Sequence, residues 1–117
     1  MKPVIILTTT DTKNAAKHIA DHLIKQHLAA CVNIVQNSQS VYMWEGKIQN
    51  ESEYLLQIKT DKSFIPKIEL YFDEAHPYDI PELIVIDIIG GSHKYLDWMS
   101  KAIKVSLNAK RSPREAS

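Results

Sequence analysis

A thiol, an imidazole and two carboxylates are the side chains of this sequence best suited to hold a metal ion. Cys31 lies in Leu28-Ala29-Ala30-Cys31-Val32-Asn33, and His76, Asp79 and Glu82 lie in His76-Pro77-Tyr78-Asp79-Ile80-Pro81-Glu82. A thiolate at Cys31 favours soft ions such as Cu(I) or Zn(II). An imidazole stiffened by nearby prolines can ligate a borderline ion or hydrogen-bond a ligand, with Asp79 or Glu82 as oxygen donors or orienting partners. Each residue also has a plainer role. A free cysteine among Ala30 and Val32 is what a small core filler looks like, and His76 can close the carbonyls that end a preceding helix. His18 and His22, four apart, could chelate Cu(II) or Zn(II), but two ligands leave a tetrahedral ion half supplied. Lys59 is expected beside the His76 loop, binding an anion or pairing with a carboxylate. Tyr42, Trp44 and Trp98 are large enough to stack on a ligand and equally suited to an interface core.

Several function classes lose on missing parts. Fourteen basic and fourteen acidic residues cancel among 117, so the broad positive field of sequence-independent nucleic-acid binding is absent. Twelve of the basic residues are lysine, and the two arginines, Arg111 and Arg114, lie at the far C-terminal end. An enzyme gripping phosphate through a forked guanidinium therefore lacks its main tool. The sequence holds no Gly-rich phosphate loop, no His-Glu-x-x-His, no Cys-x-x-Cys and no nucleophile elbow. No nucleophile, base and oxyanion donor are brought together by spacing, so no catalytic residue is assigned and the chain is expected not to be an enzyme. One cysteine cannot close an internal disulfide, and the opening apolar run is too short for a membrane span. A cytoplasmic protein without organic cofactor, nucleic acid or membrane as partner is expected.

The elements that would position these residues follow from periodicity. Val4–Thr8 reads as a buried strand. A helix follows, capped by Thr10 or Asp11 and ending near His27, with Ala16, Ile19, Ala20, Leu23 and Ile24 on one side. Residues 30–45 read as a long second strand interrupted at Gln36-Asn37-Ser38-Gln39. Gly46 starts a turn into a return strand over 47–60, with Asn50-Glu51 a weak point. A second helix is expected over about 63–75, tolerating Pro66 in its first turn. The almost continuously apolar Leu83–Ile89 reads as a central strand buried on both faces, and a third helix carries Tyr95, Leu96, Met99, Ala102 and Ile103.

The order βαββαβ plus a terminal helix predicts an α+β, ferredoxin-like two-layer sandwich filling one domain, residues 1–109, with 110–117 a disordered tail. Both helices between strands would cover one face of the sheet. The other face would carry Cys31 or Val32, Val35, and Leu55 or Leu56, which is too apolar for water. A symmetric homo-oligomer that covers it is the economical expectation.

Five blocks in order resemble the CutA divalent-cation tolerance family. They are Ala29-Ala30-Cys31-Val32-Asn33-Ile34, Ser40-Val41-Tyr42-Met43-Trp44-Glu45-Gly46-Lys47-Ile48, Glu53 with Ile58-Lys59-Thr60, the His76–Glu82 run, and Tyr95-Leu96-Asp97-Trp98. The resemblance spans about residues 4–103. It implies a ferredoxin-like protomer in a tight homotrimer, similar in fold to the trimeric PII signal proteins, with clefts between subunits. It also implies a part in tolerance of copper and other divalent cations, while animal relatives are associated with anchoring a membrane enzyme. No catalytic reaction comes with it. Copper or another divalent cation would bind at Cys31, His76, Asp79 and Glu82, and Lys59, Tyr78, Trp44 and Glu53 would line the cleft. A second reading is a PII-like signalling or scaffold module, taking a small anion or a partner protein of unknown identity in that cleft. Gln36 and Asn37 stand where members often have Pro and Gly, and Asp79 where they often have Glu.

Overall fold

The computed structural model describes residues 1–104. The tail expected over 110–117, and the end of the domain expected to reach 109, lie outside the described residues. The elements are β1 (Pro3–Thr10), α1 (Lys13–Lys25), β2 (Cys31–Trp44), β3 (Lys47–Asp61), α2 (Ile65–Ala75), β4 (Ile84–Asp87) and α3 (His93–Lys104). A single 3-10 turn, Lys62–Phe64, leads into α2. The four strands form one antiparallel sheet in the order β2-β3-β1-β4. This is the ferredoxin-like α+β arrangement expected from the order of elements.

Register decides which side chains face the helices. Val4, Ile6 and Thr8 pair with Thr60, Ile58 and Leu56, and all six are fully buried. Among them Ile6, Leu56 and Ile58 form one core cluster with Ile19 and Leu23 of α1 and Ile68 and Phe72 of α2. By strand alternation the opposite face carries Cys31, Lys59, Ile5 and Ile86 in one row and Asn33, Gln57, Leu7 and Ile84 in the next. Cys31 therefore takes the open face, while Val32 packs on the core. A smaller cluster around Met99, Ile103 and Ala30 seats α3, and Phe64 touches both clusters.

Several local expectations change. Thr12, rather than Thr10 or Asp11, caps α1: its Oγ1 accepts from the Ala15 amide at 3.1 Å. Thr10 is turned inward and donates to the Thr12 carbonyl. The interruption in β2 is a bulge between Val35 and Ser38, and Asn37 takes the left-handed conformation there, φ 60°. Asparagine tolerates that region better than most residues. Asn50-Glu51 is not a weak point, because both pair with Val41 and Ser40 across the ladder. A two-residue turn, Glu45 (φ 49°) and Gly46 (φ 77°), reverses the chain with the positive dihedrals that match the strand twist.

The largest correction concerns β4. It is an edge strand of four residues beside β1, not a central strand buried on both faces. Ile84, Val85 and Ile86 are 50%, 39% and 45% exposed. The topology puts the fourth strand at the sheet margin, and although Leu83 and Ile88 at the ends of the run pack on the two clusters, the described residues leave Ile84, Val85 and Ile86 partly uncovered.

Candidate functional site

The β2–β3 hairpin extends well beyond the helices and gives the molecule its 51 Å long axis against 27 and 24 Å. Near the base of this extension, the loop that leaves α2 folds back against β1 and β3 and encloses one side of a cleft.

His76 anchors that loop. Its amide donates to the Phe72 carbonyl at 3.0 Å and closes α2. Its ring makes two further bonds: Nδ1 accepts the Tyr78 amide at 3.1 Å, and Nε2 lies 3.0 Å from Thr8 Oγ1. An accepting Nδ1 places the proton on Nε2, which then donates to Thr8. Phe72 meets the ring edge-on at 5.3 Å. Burial pushes the His76 pKa down, opposed by the Thr9 backbone and by the charges of Asp11 and Glu53. Since the folded value lies below the ordinary 6.5, this histidine contributes stability above that pH and loses it as pH falls through the lowered value. Unfolding in urea between pH 7.5 and 5 is expected to show an acid-side loss of stability that His76→Gln reduces. An identical pH profile in the variant would contradict the assignment.

With its backbone fixed by His76, Tyr78 donates its hydroxyl to Glu53 Oε2. Glu53 is 8% exposed, and no described lysine, arginine or histidine forms an ion pair with it. Burial and the bond to Glu53 push the Tyr78 pKa far up. Burial, with the Glu53 charge second, also raises the pKa of Glu82. Across the hairpin Tyr42 donates to Glu51, a diagonal cross-strand contact, since Tyr42 stands opposite Gln49.

The cleft has a volume of about 830 Å³. Glu51, Glu53, Asp79 and Glu82 contribute its charge, and Tyr42, Trp44 and Tyr78 its aromatic surface. None of its lining residues is basic.

Of the residues selected from sequence, the chain thus brings together Glu53, Tyr78, Asp79, Glu82 and Trp44, with His76 behind them. It does not bring Cys31 or Lys59. Lys59 lies six residues beyond Glu53 on an extended strand, about 20 Å along it. There it donates to Tyr95 Oη at 3.3 Å, its ammonium 5.4 Å from the ring centre. Within one chain Lys59 is therefore not beside the His76 loop. Cys31 stands opposite Lys59, so it cannot share an ion with His76 in the same chain. His22 stacks on Tyr71 at 3.9 Å, and Trp98 packs near Tyr95 at 5.7 Å rather than in the cleft. Among the described residues no three His, Cys, Asp or Glu side chains converge as a metal-holding group. Thr8 and Glu51 were not selected from sequence. The spacing of Glu51 and Glu53, two apart on one strand face, was the available signal for the latter.

Residues 4–102 match the family model described as CutA1 divalent ion tolerance protein. The chain is 42% identical to the protein CutA, chloroplastic, of Arabidopsis thaliana over 86% of its own length, and spans 56% of that longer protein. It is 37% identical to the divalent-cation tolerance protein CutA of Pectobacterium atrosepticum, covering 86% of this chain and 92% of that one. The crystal structure of CutA1 from Oryza sativa superposes with a TM-score of 0.84 at 41% identity, over 87% of this chain and 94% of the other.

Proposed function

We propose, for a chain that belongs to the CutA1 divalent ion tolerance family, that it binds a divalent cation directly, copper or another, as cargo to be buffered in a cytoplasmic homotrimer. The observation that carries this reading is Glu53: a carboxylate 8% exposed, joined by three more in one cleft with no basic lining residue. Burying a charge without an opposite partner is costly, and an arriving cation relieves that cost. No three of Glu51, Glu53, Asp79 and Glu82 converge, so an ion there would take one or two of their oxygens and keep much of its water, as suits a hard or borderline ion held weakly. His76 serves by holding Tyr78 and the loop in place. Cys31, at the far end of β3, would form a separate soft-ion site only where several subunits bring their thiolates together.

A closed homo-oligomer is supported by the uncovered face, and its number, three, by the family resemblance alone. Ile84 and Ile86 lie beside Leu7 and Ile5 on the open side of the sheet, and closed symmetry covers such a patch without leaving a new one. The reading as a module for a small anion is weaker, because four carboxylates and no basic residue line the cleft. The family is described by tolerance and not by a reaction.

Calorimetric titration of Cu(II) and Zn(II) tests the reading, using wild type, Glu53→Gln with Glu82→Gln, and Cys31→Ala with His76→Ala. Saturable micromolar binding that the first double variant loses is expected. Binding unchanged in that variant overturns the reading, and loss confined to the second moves the site to the thiolate and imidazole.

A further inference from the structure

Two features of the cleft point past a bare metal ion. The carboxylates there do not converge: no group of three among the described His, Cys, Asp and Glu side chains could close around an ion. They are instead distributed over a volume of about 830 Å³ with three aromatic side chains among them. A small inorganic ion gains most from tight convergent oxygens. An organic ammonium has the opposite requirements. Its charge is spread over a larger, less hydrated body that pairs with separated carboxylates, while its methylene groups and cationic centre lie against aromatic faces.

We propose that the cleft is a binding site for a small organic diamine cation, seated between the Glu53–Glu82 carboxylates and the faces of Tyr42, Trp44 and Tyr78. This inference rests on the cation-accepting reading of the cleft but not on its metal.

Glu53 supplies the buried anchor. One hydrogen bond, from Tyr78, reaches its carboxylate, and no basic residue lines the cleft to neutralise it. Glu51 and Tyr42 lie on the hairpin wall, where Tyr42 donates to Glu51. Asp79 and Glu82 lie on the loop wall. Carboxylates contributed by both the hairpin and the loop match a ligand with two positive charges better than a monoamine. Trp44, 58% exposed at the hairpin end, lines the same cleft and supplies aromatic surface for the alkyl chain. Neutral or anionic ligands of the same size lack the complementary charge.

The probe is putrescine, titrated into the full chain freed of metal by chelation, with heat and tryptophan fluorescence as readouts and n-butylamine as the singly charged comparison. Saturable binding is expected, tighter for putrescine than for n-butylamine. Trp44→Leu should weaken it about threefold or more, the scale of one lost cation–π contact, and Glu53→Gln should weaken it further. Because Trp44 is exposed, its replacement tests the site even where Glu53→Gln impairs folding. Absence of saturable putrescine binding, or equal affinity in Trp44→Leu, overturns the proposal. A parallel Zn(II) titration separates the two readings: metal without diamine refutes this inference alone, and diamine without metal refutes direct metal binding alone.

Discussion

Light scattering of an Ile86→Lys variant is expected to give the mass of one 13.4 kDa chain, where the wild type gives three times that mass. The isolated chain and the assembly treat position 86 differently. In the isolated chain Ile86 is 45% exposed on an edge strand, so a lysine there keeps its ammonium in water while its stem covers Ile5, the residue opposite. Folding of the protomer should survive. In an assembly that covers this face the same ammonium is buried without a partner, which costs several kcal/mol at each symmetric copy. Circular dichroism of the variant should therefore remain that of the folded sheet while the mass falls. A variant that stays at the wild-type mass refutes the proposal that other copies cover the open face, and a monomeric wild type refutes it outright.

Phe72→Ala is expected to lower the stability of the fold by about 3–5 kcal/mol, read as the shift of the urea midpoint at one fixed protein concentration. Phe72 is 2% exposed and belongs to the cluster that joins both helices to the sheet. Truncation removes its transfer free energy and leaves a cavity that Ile68 and Leu23 can only partly close. The effect extends to the cleft, because Phe72 also supports the His76 ring at 5.3 Å. His76 in turn holds the Tyr78 amide, and Tyr78 holds Glu53. Faster amide exchange at Tyr78 should accompany the loss of stability. A loss below about 1 kcal/mol would mean that this site collapses around the smaller side chain and that Phe72 is not a keystone of the core.

The hairpin shows how local chemistry specifies local structure. Tyr42 to Trp44 and Ile48 are β-prone, and Gly46 favours the left-handed turn conformation it occupies. Asparagine at position 37 likewise suits the bulge. These choices depend on backbone sterics and are legible without any neighbour. The fourth strand shows the opposite case. A continuously apolar run is written the same way whether it is covered by its own helices or by other molecules, and only topology separates the two.

Candidate chemistry divides along the same line. His76, Tyr78, Asp79 and Glu82 are close in sequence on a Pro-punctuated loop, so their proximity was available from spacing. Glu53 was legible only through family resemblance, since one glutamate in a polar strand segment carries no signal of burial. Lys59 was misplaced because sequence separation along β3 does not state which end of the strand meets the loop after α2. Cys31 could not be assigned a face until its pairing with Lys59 was known, as a shift of one residue sends a strand side chain to the other side of the sheet.

By itself, then, the sequence determined the elements, their order, the ferredoxin-like class and membership of a cation-tolerance family, because periodicity and turn chemistry are local and motif order is explicit. The tertiary structure alone decided that His76 spends both ring nitrogens on Thr8 and Tyr78, that Glu53 is buried without a counter-charge, and that Cys31 and Lys59 lie at the opposite end of the sheet. Those outcomes depend on register and long-range packing, which bring together residues that no spacing along the chain connects.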